Sequence, residues 1–486
     1  MSAPDIEPPQ LYQAREPIFP RRVKGKFRNL KWVIMAITLG IYYILPWIRW
    51  DRGPNLPDQA VLLDLANRRF FFFFIDIWPH EFYFIAGLLI MAGLGLFLFT
   101  SAFGRVWCGY TCPQTVWTDL FILTERWVEG DRNARVRLWN EKWNIRKLRL
   151  RLSKWAIWLV ISVLTGGAWV FYFTDAPTLL KNLVTLQAPA IAWITIAILT
   201  ATTFVFGGFM REQICIYMCP WPRIQAAMMD ESTLTVAYRE WRGEPRGKIH
   251  KGEATKSSGG EKGDCIDCMA CVNVCPMGID IREGQQLECI TCALCIDACD
   301  EVMDRIGKPR DLIGYMALED EEAERAGAEP RPIRNHLLRP RTLLYLVLWT
   351  AIGVALMVAL LMRSPFDMNV TPARNPLFVT LSDGGIRNTY ELRLRNKQGD
   401  VQNFHVEALL PSGEAIPGLT LAMEGQTGAE LAVPANTTQT QRVYLTAAPD
   451  SALATSLRSD IRLRVRDTGN GAIDNASTVF NGKEKP

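Results

Sequence analysis

Along the 486 residues, apolar positions fall into two contrasting patterns. In the first three quarters they gather in runs of about twenty with almost no charge, the length that crosses a hydrocarbon core roughly 30 Å thick. Five such runs predict membrane-spanning helices at about 30–48, 80–100, 154–173, 188–208 and 343–362. After Ser364 the pattern changes to short alternating runs: "PLFVTL", "TYELRLRN", "NFHVEALL", "GLTLAM", "AELAVP", "QRVYLTA" and "DIRLRVRD", parted by Gly, Pro, Asn and Asp. About seven strands at that spacing predict a β-sandwich of immunoglobulin type.

Polar residues set the direction of threading. Lysine and arginine crowd the segment before the first run ("RRVKGKFRNLK") and the connection 101–153 ("RKLRLRLSK"), whereas 174–187 holds a single lysine. The positive-inside rule then places the N-terminus, 101–153 and 209–342 in the cytoplasm and the C-terminal domain outside. The first run lacks a small-residue cleavage site and reads as an uncleaved span. The basic stretch 132–154 reads as an orientation signal in preference to a lipid or polyanion site. "FFFFF" at 70–74 reads as an interfacial or re-entrant piece, or one packed against the spans.

The plan is a multi-domain membrane protein with an α-helical bundle of about five transmembrane helices, a ferredoxin-like α+β domain and the β-sandwich. Its expected parts are a cytoplasmic arm (1–29), four spans with their turns (30–220), a linker (221–262), a cluster-binding domain (263–312), a second linker (313–342), the fifth span (343–362) and a periplasmic sandwich (363–486). "KSSGGEKG" and "EDEEAERAGAEP" mark the linkers as polar and mobile. A net charge of only +4 gives no basis for nucleic-acid binding.

Twelve cysteines change the picture from architecture to chemistry: two in 108–112, two in 215–219, eight in 265–299 and none beyond. A disulfide framework would spread them through the loops, whereas tight clusters read as metal ligands in a reducing compartment. "CIDCMACVNVC" and "CITCALCIDAC" each follow C-x2-C-x2-C-x3-C, the spacing of ferredoxins with two 4Fe–4S clusters. Three thiolates of one motif and the last of the other would hold each cluster. Cys265, Cys268 and Cys271 thus join Cys299, and Cys289, Cys292 and Cys295 join Cys275. Paired zinc sites rarely use this triple spacing. Pro276 follows the first motif, but Asp300 stands at the equivalent place in the second; Asp300 and Glu301 predict low cluster potentials. The scattered His80, His250, His336 and His405 do not suggest a bis-histidine haem, and no dinucleotide fingerprint supports a nicotinamide or flavin donor.

"CGYTCP" and "CIYMCP" repeat one turn about 107 residues apart. Each follows a span and a glycine break (Gly104; Gly207 and Gly208), with Arg105 or Arg211 before it and Tyr110 or Tyr217 within. The closing proline suits the first turn of a helix. A helix N-terminus and a nearby arginine would favour thiolate over thiol. Packed side by side, Cys108, Cys112, Cys215 and Cys219 would form a soft site for Cu(I) above all, and equally for zinc or another iron–sulfur centre. Thiol–disulfide chemistry and inert packing are the alternatives.

"GRVWCGYTCPQTVW", "CIYMCPWPRIQ", "GDCIDCMACVNVCPMGIDIR" and "ECITCALCIDACDEVMDRIGKPRDLIGY" together resemble the CcoG family, also called FixG or RdxA, over nearly the whole chain. Asp300 fits that family better than it fits ferredoxins. The resemblance implies a multi-pass protein of the bacterial inner membrane that supports copper-centre assembly in a haem–copper cytochrome c oxidase by reducing Cu(II) to Cu(I). The clusters would supply electrons, and Cys108, Cys112, Cys215 and Cys219 would handle copper as a cupric oxidoreductase. Implied partners are membrane lipid, copper ions, oxidase assembly machinery or a copper transporter or chaperone, and an electron donor that the sequence does not identify. Two other readings are a quinol-oxidising electron conduit and a copper carrier without turnover.

Overall fold

A computed structural model describes residues 17–53, 56–248, 263–329, 331–426 and 428–483. Residues 1–16 of the expected arm and 256–262 of the serine- and glycine-rich stretch lie outside them. The chain forms two compact units, Met1–Ile48 with Gln59–Leu356, and Arg49–Asp58 with Met357–Pro486.

Among the described residues, five helices are long and apolar enough to cross a membrane: Lys26–Trp47, Pro79–Phe103, Ile145–Tyr172, Ala190–Met210 and Pro340–Leu361. The third begins earlier than its uncharged run because the charged lead-in "IRKLRLRLSK" is itself helical. Lys147, Arg151 and Lys154, four and three residues apart, share one face of it and are buried. After the second span come a short helix, Val106–Tyr110, and the amphipathic helix Pro113–Val128. The fourth span ends in wide π-helical turns, Val205–Met210 and Ile214–Met218. Such turns recur at functional sites.

One stretch takes a definite form and two others need correcting. Part of the phenylalanine run is a strand: Arg69–Phe72 lies between Val61–Asp64 and Ile75–Ile77 in an antiparallel sheet, with Phe71 buried, and Phe73 and Phe74 form the turn that follows. Alternation cannot be read from five identical side chains. The stretches 221–262 and 313–342 are not simple linkers in their described residues. They hold the helix Trp221–Met228 and the strand Thr235–Tyr238, which pairs antiparallel with Ile313–Met316. Farther on, His336 is buried 2.9 Å from the Asp320 carboxylate. Four-residue strands are too short for their period to stand out. This pair brackets the cluster motifs and packs against the helix Leu294–Ile306 through Val236, Tyr238, Ile313 and Met303.

Among the described residues of the second unit, nine strands form two antiparallel sheets around a core that includes Tyr390, Leu392, Phe404, Val443 and Leu463. One sheet centres on Ile386–Asn396 and Thr438–Ala447, the other on Gln402–Leu409 and Arg458–Asp467. Alternating burial along Ile386–Asn396 expresses the period-two pattern in the sequence.

Candidate iron–sulfur and thiol centres

The two cluster motifs share a backbone conformation. Asp267 and Met269 flank Cys268, as Thr291 and Ala293 flank Cys292, and all four have left-handed φ of 52–58°. Short helices, Ala270–Val274 and Leu294–Ile306, follow at matching places. The turns fold each chain segment back so that amides aim at sulfur: Thr291 donates to Cys289, Leu294 to Cys292, and Met277 and Ile279 to Cys275.

The sulfurs lie close enough for their charges to interact: Cys299 with Cys265, Cys268 and Cys271, Cys275 with Cys289 and Cys292, and Cys295 with Cys292, Cys289, Cys275 and Cys271. Cys271, Cys275, Cys289, Cys292 and Cys295 line an enclosed cavity. Burial pushes the thiols up, Cys271 and Cys289 to about 11, Cys275 and Cys299 to about 12. Buried thiolates of this kind need a cationic partner. Among the described residues, no three Cys, His, Asp or Glu side chains stand close enough to hold one metal ion. Eight thiols in two C-x2-C-x2-C-x3-C motifs suit a pair of cubanes.

The four remaining cysteines gather at the ends of the second and fourth spans. All six pairs among Cys108, Cys112, Cys215 and Cys219 are charge-coupled. The Cys108 thiol donates to Gln225 Oε1 at 2.9 Å, and Gln225 Nε2 donates to Thr100 Oγ1 at 3.2 Å. Pro113 opens its helix as expected, while Pro220 caps the helix Trp221–Met228. Burial works against the expected thiolate character at the first cysteine of each turn: it raises Cys108 to about 11 and Cys215 to about 12, and Arg105 only partly offsets it.

The two arginines before the turns take different roles. Arg105 is buried, donates to the Leu287 carbonyl and sits where its charge acts on Cys108, Cys215 and Cys289 at once. Arg211 turns into the bundle and pairs with Glu125, which also binds Arg135 at 2.6 Å and Lys154 at 3.5 Å. Burial alone would raise the Glu125 carboxyl, but Arg211, Lys154 and Arg135 bring it down to about 2.

The thiol group and the second cluster loop are in contact. Cys108, Ile290, Cys292 and Ala298 share one apolar core, with Cys215, Cys275 and Cys295 packed on it. Tyr110 donates to the Cys292 carbonyl at 3.2 Å. A Cβ on Gly109 would stand 2.6 Å from the Ile290 carbonyl oxygen, so only glycine permits this approach. On the far side, Asp297 accepts from the amides of Phe27 (3.2 Å) and Arg28 (2.7 Å), which the first span leaves without helical partners. Gly25 admits that carboxylate: its Cβ would lie 2.2 Å from Asp297 Cγ. Gln225, Asp297 and the bridging position of Arg105 were not identifiable from the motifs. The contrast between Gly109 and Ile216 at matching positions was the one available signal.

Family models match three stretches of the chain. A 4Fe–4S dicluster domain matches residues 210–318, a 4Fe–4S binding domain matches 84–131, and the immunoglobulin-like fold at the C-terminal end of FixG matches 356–483. Protein RdxB of Cereibacter sphaeroides is 67% identical over 99% of this chain and 100% of its own length. Protein RdxA of the same organism is 64% identical over 97% of this chain and 98% of its own. Nitrogen fixation protein FixG of Rhizobium meliloti is 54% identical over 86% of this chain and 82% of its own.

Proposed function

Because the chain belongs to the FixG/RdxA family of membrane iron–sulfur electron-transfer proteins, we propose that it reduces cupric ions held by Cys108, Cys112, Cys215 and Cys219. The cuprous product would serve assembly of a haem–copper cytochrome c oxidase, with the cluster-bearing end in the cytoplasm. The observation carrying this reading is the packing of Cys108 and Cys215 against the Cys292 loop. When bound, 4Fe–4S clusters supply electrons one at a time, and Cu(II) needs one electron to become Cu(I). Soft thiolates then suit the product ion better than the substrate ion. Arg105 holds positive charge beside both sulfur groups, Gln225 orients the Cys108 thiol, and Gly109 and Tyr110 keep the two groups in contact.

Purified protein reduced under anaerobic conditions should convert added Cu(II) to Cu(I), read with a cuprous chelator. Replacing Cys108 and Cys215 by serine should abolish the conversion while cluster iron stays. Full conversion by that variant would refute the assignment. Copper binding without conversion would point to a carrier, and rapid reduction by quinol would identify a conduit.

One observation favours a second reading. The 4Fe–4S binding model covers residues 84–131, where Cys108 and Cys112 lie. On that reading the four thiols hold a further iron–sulfur centre, and serine at Cys108 and Cys215 removes iron as well as activity.

A further inference from the structure

The basic lead-in to the third span is folded inward. A cavity of about 450 Å³ opens beside it, lined by Lys147, Arg151, Lys154 and Arg211 together with Glu125. These four cations are at most 9% exposed. Behind them Arg135 binds Glu125, and Glu129 binds Arg151 at 3.2 Å and Lys154 at 2.9 Å. Five cations (Arg135, Lys147, Arg151, Lys154, Arg211) therefore share two carboxylates (Glu125, Glu129). The imbalance is greatest at Lys147, whose ammonium donates to the carbonyls of Trp139 (3.0 Å) and Glu141 (2.5 Å). Buried positive charge in excess is costly unless an anion completes it.

The setting narrows the anion. The cavity lies where a charged helix end passes into the span Ile145–Tyr172. Trp139, Trp143, Trp155 and Phe209 form its walls, and Trp143 is 68% exposed at the rim. Tryptophan gathers at the level of lipid headgroups, and basic pockets between spanning helices bind acidic ones. Aromatic walls suit glycerol and acyl carbons, which a free polyphosphate lacks. We propose that this cavity seats the phosphate of an anionic phospholipid, with Lys147 and Arg151 as its principal contacts. The site is separate from the thiol and cluster chemistry and does not rest on it.

The test uses the full chain in vesicles of phosphatidylcholine, alone or mixed with phosphatidylglycerol, followed by native mass spectrometry of retained lipid. The protein should retain phosphatidylglycerol over phosphatidylcholine. The Lys147→Gln/Arg151→Gln double variant, with unchanged iron content, should lose about thirtyfold of that preference. If the double variant loses iron, Lys147→Gln alone is read the same way and should lose about fivefold. An unchanged preference in the variant overturns the proposal. So does binding of inorganic pyrophosphate that depends on Lys147 while phosphatidylglycerol retention does not, since the site would then serve a soluble anion.

Discussion

At the first thiol turn, Val106–Tyr110 is an α-helical turn on which Gly109 and Tyr110 receive the Cys292 loop. At the second, Ile214–Met218 is π-helical, Ile216 stands where the first has glycine, and Tyr217 is 59% exposed. The arginines diverge likewise: Arg105 faces sulfur, and Arg211 faces the buried carboxylate of Glu125. Both turns thus bring their first cysteine to the cluster core, but the first does so through the close backbone seat at Gly109, and the arginine of the second anchors the bundle.

The largest way to break that comparison is through the anchor. Glu125→Gln leaves three buried cations short of their counter-charge. Losing one partner of such a network costs about 3–5 kcal/mol, so a marked drop in thermal stability is expected by melting. Next is the dock. Gly109→Ala forces a methyl against backbone, an overpacking cost of about 1–3 kcal/mol. Iron analysis should show loss from the cluster expected at Cys275, Cys289, Cys292 and Cys295, whereas Ile216→Ala should leave iron unchanged. A smaller contrast is Tyr110→Phe, which removes one hydrogen bond worth about 0.5–1.5 kcal/mol, against Tyr217→Phe, expected to be silent in the same melt. The smallest effect on stability is at Arg105→Gln. Removing a cation beside Cys289 should lower that cluster's potential by some tens of millivolts in a redox titration, about 59 mV being tenfold for one electron. Equal shifts from Arg211→Gln would erase the proposed division of labour.

Much of the architecture was written in local pattern. Long uncharged runs announced the spans, alternation announced the sandwich, and cysteine spacing announced the iron–sulfur domain. What stayed hidden depends on partners far along the chain. Thr235–Tyr238 becomes a strand only by pairing with Ile313–Met316. Arginine before cysteine suggested two activated thiols, yet burial outweighs charge at both turns, and Arg211 has a stronger claimant in Glu125. Likewise, a count of lysine and arginine reports direction across a membrane but not that Lys154 is buried.

The close seat of the Cys292 loop on Gly109 also bears on biogenesis. Gly109 and Tyr110, the platform of that seat, precede Cys265 in the chain, so a ribosome makes the platform before the cysteines that settle upon it. The cluster cysteines therefore meet a surface that is already part of the nascent chain.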